Sequence, residues 1–234
     1  LRTLKEIKSE KIGIIGHSEG ALVAAKAAAS SEDIAFVIMM AGTGLPGEKV
    51  LCKQAEDIAR AEGADEKTIT DTSEMQKKLF EILKRESEPE AIEREIRFIV
   101  ENEVAKLKDD DRKAFEAMRP AVEAQMKQIL LPSMRQFILE DPKPTLIKIK
   151  CPVLAICGER DLQISAKENL PTIEQALKEG GNTNYTIIEM PCLNHLFQVA
   201  ETGSPSEYAT IEETMSPAAL KTISDWILDV TKRK

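Results

Sequence analysis

The sequence contains few of the residues from which metal and redox sites are built. It has four cysteines and two histidines in 234 residues, and aromatic residues make up 4% of the chain. The cysteines have no C-x-x-C spacing, so we expect neither a metal ion nor another cofactor. Cys151 and Cys157 flank one predicted strand and would lie about 20 Å apart, which is too far for a disulfide. We therefore expect reduced, buried thiols, which favour a cytoplasmic location.

Long apolar runs and an excess of basic residues are also missing. No apolar run approaches the roughly 20 residues that a bilayer span needs. The 32 Lys and Arg residues are outnumbered by 40 Asp and Glu residues, which gives a net charge of −8. A nucleic-acid surface needs clustered basic residues, so we expect neither a nucleic-acid partner nor a membrane span. The 42% hydrophobic content is enough for a folded core.

One pentapeptide stands out from this background. Residues 16–20 read G-H-S-E-G, directly after the apolar run 12–15 and directly before the helix-forming run 21–25. This pattern predicts a strand, a sharp turn and a helix, with Ser18 raised above the edge of a sheet as a nucleophile. The small residues on both sides of the serine are expected to permit the tight turn. The alternative is a chance occurrence of a short motif.

A serine hydroxyl needs a base within hydrogen-bond reach. His17 adjoins the serine, and its side chain is expected to point away from that of Ser18, so His195 is the base by elimination. His195 follows a predicted strand at residues 184–190, and the carboxyl ends of parallel strands are where such sheets place their chemistry. The alternative is a loop histidine that bonds only to backbone groups.

The acid that should orient this histidine is predicted at Asp161. It follows the apolar run Cys151–Gly158, which has turn signals at both ends. Glu159 is the substitute, and Asp161 could instead serve only to form a turn. The order serine, acid, histidine along the chain is that of the α/β-hydrolases and differs from the order in chymotrypsin and subtilisin.

Three segments together resemble the α/β-hydrolase superfamily, and in detail its bacterial esterase and serine aminopeptidase-like branch. They are K-I-G-I-I-G-H-S-E-G at 11–20, C-P-V-L-A-I-C-G-E-R-D at 151–161 and L-N-H-L-F-Q at 193–198. The resemblance implies that Ser18 is the nucleophile, Asp161 the acid and His195 the base. Relatives commonly carry a second glycine where this chain has Ala21, and we expect the alanine to be tolerated.

The position of the serine implies an amino-terminally truncated fragment. In this superfamily the nucleophile usually follows four or more strands, so about 80 to 150 residues of an ordinary domain are expected before Leu1. Residues 1–7 themselves are expected to form a helix. The oxyanion hole would take one N–H from Glu19 and a second from the preceding part. Without that second donor we expect a rate about 100- to 1,000-fold lower, and the strand at 12–16 should have an exposed edge.

The remaining pattern predicts an α/β fold, a partial α/β-hydrolase sheet with a helical cap. Predicted strands at 12–16, 34–40, 152–157 and 184–190 alternate with helices at 19–30, 166–180 and 217–231, which indicates a parallel sheet. Ser216 is expected to cap the last helix, with Pro217 in its first position. The exception to this alternation is the region from about residue 46 to 149, which is predicted to contain only helices. Within it, Ser87 and Glu90 form a predicted capping box. The predicted divisions are core residues 1–45, a cap or lid at 46–149 and core residues 150–234.

These observations favour a serine hydrolase that cleaves a small-molecule carboxylic ester through an acyl-enzyme. A thioester or a peptide amide is the alternative substrate, because a fold does not choose among them. Gly42 and Thr43 follow the second predicted strand and are candidate substrate-binding residues, although residues there also serve the turn into the cap. A hypothesis of another class is a non-catalytic fragment that associates with partners through its helical cap.

Overall fold

The computed structural model describes residues 7–232 and centres on a parallel sheet. Within these residues the strands are β1 (Ile14–His17), β2 (Val37–Met40), β3 (Val153–Gly158) and β4 (Tyr185–Met190), side by side in chain order. Every residue of β2 and β3 is buried. Strands covered on both faces need continuous apolar runs, which is why these segments carry little alternation of polar residues. The four strands predicted from the sequence are confirmed with small shifts in their ends.

Helices alternate with the strands along the chain and make up most of the sequence between β2 and β3. The helices are α1 (Glu19–Ser30), α2 (Gly47–Ala61), α3 (Glu66–Arg85), α4 (Pro89–Ala105), α5 (Asp109–Ile129), α6 (Pro132–Leu139), α7 (Lys143–Leu146), α8 (Ala166–Glu179) and α9 (Pro217–Lys232). Helix α1 packs on β1 and β2, and α8 packs on β3 and β4. The buried face of α1 is Leu22 and four alanines, and such small side chains let the helix lie close to the sheet.

The chain divides into two compact units. One contains the sheet and extends through Ile69 and again from Asp141 onward, and the other is the helical segment Thr70–Glu140. The first division falls within α3, so α2 and α7 belong with the sheet. The role of residues 46–149 as a cap stays a prediction.

The start of α4 differs from its prediction. The capping box of Ser87 and Glu90 is wrong, because the helix begins at Pro89 and Glu88 occupies the N-cap position without a side-chain cap bond. Proline suits the first helical position, where its missing N–H needs no acceptor, and this moves the start by one residue. The N–H groups of Ser87 and Glu88 donate instead to Glu86 Oε1 at 2.7 and 3.0 Å.

Further predictions concern the start of α9, the edge strand β1, residues 1–7 and the membrane. Ser216 Oγ accepts a hydrogen bond from the N–H of Ala218 at 3.3 Å, so the predicted cap of α9 is confirmed. Strand β1 pairs with β2 alone among the described residues, and Ile15 on it is 49% exposed. The helix expected at residues 1–7 lies outside the described residues except for Ile7, which is in a bend. None of the helices in residues 7–232 is long and apolar enough to cross a bilayer.

Candidate active site

Ser18 occupies a sharp turn between β1 and α1. Its φ of 55° and ψ of −123° lie in a region that side-chain-bearing residues rarely adopt, at a cost of about 1–3 kcal/mol. Two backbone bonds hold it there: the Ser18 N–H donates to the Met40 carbonyl at 2.8 Å, and the Ala21 N–H donates to the Ser18 carbonyl at 2.9 Å. The hydroxyl does not cap α1. The predicted strand, turn and helix around this serine are therefore present.

Only one of the two glycines that flank this turn is required by close packing. A Cβ on Gly16 would lie 1.9 Å from the backbone oxygen of Gly20, so a side chain there would push β1 and α1 apart. Beyond its chain neighbours and the backbone of its own helix, a Cβ on Gly20 would meet no described atom within 4 Å. The expectation that small residues are needed on both sides of the serine therefore holds for Gly16 alone.

Asp161 and His195 form a buried pair on the loops that follow β3 and β4. His195 Nδ1 lies 2.9 Å from Asp161 Oδ2, and the two residues are 4% and 3% exposed. The other carboxylate oxygen, Oδ1, accepts hydrogen bonds from the N–H groups of Gln163 and Ile164 at 2.9 and 2.8 Å. A carboxylate oxygen accepts, so Nδ1 of His195 is the donor in this contact and carries the ring proton. The imidazole is thereby oriented with Nε2 as the nitrogen that can accept a proton.

Glu159, the substitute for the acid, has a different partner. Its Oε2 accepts a hydrogen bond from the backbone N–H of Cys192 at 2.9 Å, so it holds the backbone of the histidine loop while Asp161 contacts the imidazole. Cys192 has a φ of 59° and is exposed, so its predicted burial is wrong. The bond to Glu159 keeps the backbone of Cys192 at the surface although its neighbours in sequence are apolar.

Cys157 is a contact of the acid that the sequence analysis missed. Its thiol lies 3.1 Å from the carbonyl of Ile164 and 3.5 Å from Asp161 Oδ2, and it is fully buried. Burial, and then the negative charge of Asp161, raise the pKa of the Cys157 thiol well above its ordinary value. The thiol is therefore a neutral packing group and not a rival nucleophile. The four cysteines all lie in the described residues and are not joined in disulfides. Of the four, Cys157 is buried, Cys52 and Cys151 are partly exposed and Cys192 is exposed, so the prediction of buried thiols is correct for Cys157 alone.

His17 is a second residue whose contact the sequence analysis missed. Its Nε2 lies 2.8 Å from the backbone oxygen of His195, and the two imidazole centroids are 4.7 Å apart. It was expected only to point away from Ser18, yet it reaches the histidine loop. The signal available in the sequence was its place at the carboxyl end of β1, the edge that also carries the loops of Asp161 and His195.

The three predicted catalytic residues thus lie at one edge of the sheet, with one link missing. Asp161 and His195 are in contact, and Ser18 follows His17, which touches His195. Within residues 7–232, no hydrogen bond joins the Ser18 hydroxyl to either of the other two. Catalytic hydrogen bonds are often long without substrate, so this geometry is compatible with catalysis.

The remaining candidates lie near the same edge. Glu19 is the first residue of α1, and the first N–H groups of a helix have no carbonyl acceptor within it. Gly42 and Thr43 follow β2 and are both buried. A Cβ on Gly42 would lie 3.0 Å from the Met39 side chain and 3.1 Å from that of Ala21. Their roles in oxyanion and substrate binding stay predictions.

Several solved structures are similar to this chain. A proline iminopeptidase-related protein of Thermus thermophilus is 18% identical with a TM-score of 0.46, over 94% of this chain and 65% of that one. An esterase of Pyrococcus furiosus is 16% identical with a TM-score of 0.36, over 77% and 44%. An alpha/beta fold family hydrolase of Bacillus anthracis is 14% identical with a TM-score of 0.40, over 93% and 66%. The alignments therefore span less than two thirds of the length of these proteins.

The sequence comparisons identify a family. No curated protein matches the chain. The family described as "BAAT / Acyl-CoA thioester hydrolase C terminal" matches residues 1–129, more than half of the chain, and this range includes Ser18 but neither Asp161 nor His195. Together with the parallel sheet and its flanking helices, the match confirms the predicted α/β-hydrolase superfamily and fold class. The chain belongs to the BAAT and acyl-CoA thioester hydrolase C-terminal family.

Proposed function

We propose that this chain carries the catalytic residues of a serine hydrolase, with Ser18 as the nucleophile, His195 as the base and Asp161 as the acid. The observation that carries the proposal is the buried pair of Asp161 and His195, at 2.9 Å, beside a serine held in a strained turn. Backbone strain at a single polar residue is typical of functional sites, because the surrounding structure must be built to maintain it. An imidazole oriented by a buried carboxylate is the arrangement that activates a serine.

The proposed reaction proceeds in two halves. His195 Nε2 takes the proton of Ser18 as Oγ attacks the carbonyl carbon, and the Glu19 N–H stabilises the negative oxygen of the tetrahedral intermediate. The imidazolium then protonates the leaving group, the bond to that group breaks, and an acyl-serine remains. In the second half, His195 takes a proton from water as the water oxygen attacks the acyl carbon. The bond from that carbon to Ser18 Oγ then breaks, the imidazolium returns its proton to Oγ, and a carboxylic acid leaves the regenerated serine. Asp161 stabilises the imidazolium in both halves.

The proposed substrate is a thioester, and a carboxylic ester is the second candidate. The family description, which names acyl-CoA thioester hydrolases, favours the thioester. Both substrates use the same three residues, and they differ in whether the leaving group is an alcohol or a thiol. Comparison of kcat/KM for p-nitrophenyl esters and for acyl-CoA thioesters of the same acyl length chooses between them. A peptide amide is the third candidate and is tested with an aminoacyl anilide.

A fluorophosphonate probe tests the proposal without knowledge of the substrate. We expect the chain to be labelled at Ser18, as located by peptide mass spectrometry, and Ser18→Ala to abolish the labelling. The matched control is Ser224→Ala, because Ser224 lies on the exposed side of α9 and its hydroxyl only donates to the carbonyl of Lys221. Undiminished labelling of Ser18→Ala would refute the assignment. A folded chain that is not labelled even over an exposure long enough to reveal a rate about 1,000-fold below that of an ordinary serine hydrolase would also refute it and would favour the non-catalytic, associating fragment.

A further inference from the structure

We infer that His17 is a positioning residue that holds His195 in place through the backbone carbonyl of that residue. The inference rests on the proposed function, because it concerns the placement of the proposed base. His17 lies at the end of β1, immediately before Ser18, whereas His195 lies on the loop after β4. The hydrogen bond between them connects the turn of the proposed nucleophile to the loop of the proposed base across 178 positions of sequence.

The geometry fixes both the direction of this bond and the orientation of the ring. A carbonyl oxygen only accepts, so His17 Nε2 must donate at the observed 2.8 Å and therefore carries a proton. The ring of His17 also lies 4.7 Å from that of His195 and meets the edge of Phe197 at 6.1 Å, and Phe197 is fully buried. One hydrogen bond and two ring contacts thus hold the imidazole, which makes it a fixed support.

The histidine loop depends on this support because its other bonds leave the His195 carbonyl without a partner. The Phe197 N–H donates to the carbonyl of Asn194, and the Asn194 N–H donates to that of Gln198. In the described part of the chain, the His17 imidazole is the hydrogen-bond donor to the carbonyl of His195. A buried carbonyl that loses its donor is destabilised, so the loop would shift to find another. His195 is therefore held at both ends, by Asp161 at the ring and by His17 at the backbone.

The bond from His17 to the His195 carbonyl should affect the reaction at Ser18. Asp161 orients the ring of His195 but has no bond to the turn that carries Ser18. His17 is covalently adjacent to Ser18, so its bond resists movement of the His195 backbone relative to the hydroxyl. Small misplacements of reacting groups slow a reaction much more than they weaken binding. We therefore expect loss of the bond to lower kcat with little change in KM.

Two substitutions separate positioning from packing. His17→Leu removes the hydrogen-bond donor but leaves an apolar side chain that can still pack against the neighbouring rings. His17→Gln keeps an N–H donor of similar reach. The fluorophosphonate labelling rate of Ser18 should fall about 3- to 10-fold in His17→Leu, the effect of one neutral hydrogen bond. In His17→Gln it should stay within about 2-fold of the original rate. On an ester substrate, the loss in His17→Leu should lie in kcat.

A spectroscopic measurement provides a readout that does not depend on activity. The chain has two histidines, so His195 gives the single set of imidazole signals in either variant at position 17. With ¹⁵N-histidine, the Nδ1–H signal of His195 should be sharp in the original chain and in His17→Gln, because a donor at position 17 holds the His195 backbone and so keeps the Nδ1–H bond to Asp161 in one geometry. It should broaden or divide in His17→Leu.

The control is a variant that loses comparable bonds far from the site. Asn182 is buried, and its Nδ2 donates to the carbonyls of Ile149 and Cys151 at 3.1 and 2.9 Å, at the opposite end of β3. Asn182→Ala should lower stability but leave the labelling rate and the His195 signal unchanged. If His17→Leu labels as fast as the original chain, or if His17→Gln is as slow as His17→Leu, the inference is wrong. If the original chain is never labelled, the proposed function fails, and the His195 signal in His17→Leu alone decides the positioning role.

Discussion

Each oxygen of the Asp161 carboxylate has its own set of partners. Oδ1 accepts from two backbone N–H groups of the following turn, and Oδ2 faces His195 Nδ1. The alternative prediction, that Asp161 forms a turn, is therefore correct for Oδ1. Oδ2 remains available to the imidazole. Because the backbone bonds of the turn fix Oδ1, they also fix the direction of Oδ2. The buried imidazole of His195 is therefore oriented by a carboxylate that is itself held in place.

Asp161→Asn should nearly abolish reaction at Ser18 while preserving the turn. The amide oxygen can still accept from the two backbone N–H groups, which leaves the NH₂ facing His195 Nδ1. The imidazole must then accept at Nδ1 and carry its proton on Nε2, the nitrogen that should take the serine proton. By analogy with the same substitution in another triad, we expect a loss of about 10³- to 10⁴-fold in rate. The fluorophosphonate inactivation rate measures it.

Glu159→Gln is the matched control for that substitution. It also exchanges a carboxylate for an amide, and the glutamine oxygen can still accept from the Cys192 N–H. We expect a much smaller loss than in Asp161→Asn. An equal loss in both variants, or a larger one in Glu159→Gln, would contradict the choice of Asp161 as the acid.

The residues of the site could be predicted to different degrees for physical reasons. The placement of Ser18, Asp161 and His195 at one edge of the sheet could be predicted, because each follows an apolar run and the carboxyl ends of parallel strands meet at one edge. The partner of His17 could not be found in this way, because the direction of a side chain at the end of a strand depends on the turn that follows. The contact of Cys157 with Asp161 was missed for a related reason: it depends on the path of the loop back over its own strand.

The turn between β1 and α1 shows how much a single glycine can matter to an element. Gly16 lies in β1 where the following helix passes over the strand, and the approach of its Cα to the Gly20 carbonyl leaves no space for a methyl group. Gly20 lies in the first turn of α1, where the space around it is open and its φ is not positive. The same pentapeptide therefore contains one glycine that the fold needs and one that it tolerates.

Substitution of these two glycines by alanine should have opposite effects. Gly16→Ala places a methyl group against the backbone, which cannot move without separating β1 from α1, so we expect a loss of more than about 3 kcal/mol in the free energy of unfolding. Gly20→Ala should be neutral or stabilising by up to about 1 kcal/mol, because alanine favours a helix more than glycine does. Urea unfolding followed by circular dichroism measures both. A destabilised Gly20→Ala or a stable Gly16→Ala would contradict this account of the turn.

The elements themselves were largely predictable, and their ends less so. Buried strands and amphipathic helices leave a periodic record of their apolar face, which is why the strands and the helical region were found. The start of α4 was misplaced because two signals competed: a serine that could cap and a proline two residues later that fits the first helical position. The fixed φ of proline prevailed over a side-chain bond that a neighbouring glutamate could replace.

The chain as a whole consists of two units with different interiors. In the sheet unit, β2 and β3 are completely buried. In the helical unit, Thr70–Glu140, most of α5 is exposed, and Pro120 within it removes one backbone hydrogen bond. Salt bridges link its helices at the surface, as where Arg119 pairs with Glu101, and such exposed pairs contribute little. We therefore expect the helical unit to open at a lower free energy than the sheet.

Hydrogen exchange of the native chain tests whether the two units open separately. Leu83 in α3 and Leu154 in β3 are both completely buried, one in each unit, and either leucine replaced by alanine should lose about 2–5 kcal/mol. Leu83→Ala should speed exchange throughout residues 70–140 and leave the amides of β2 and β3 protected. Leu154→Ala should instead reduce the protection of the sheet. Mass spectrometry of peptic peptides resolves these regions, and equal acceleration along the entire chain by either variant would mean that the molecule unfolds as one cooperative unit.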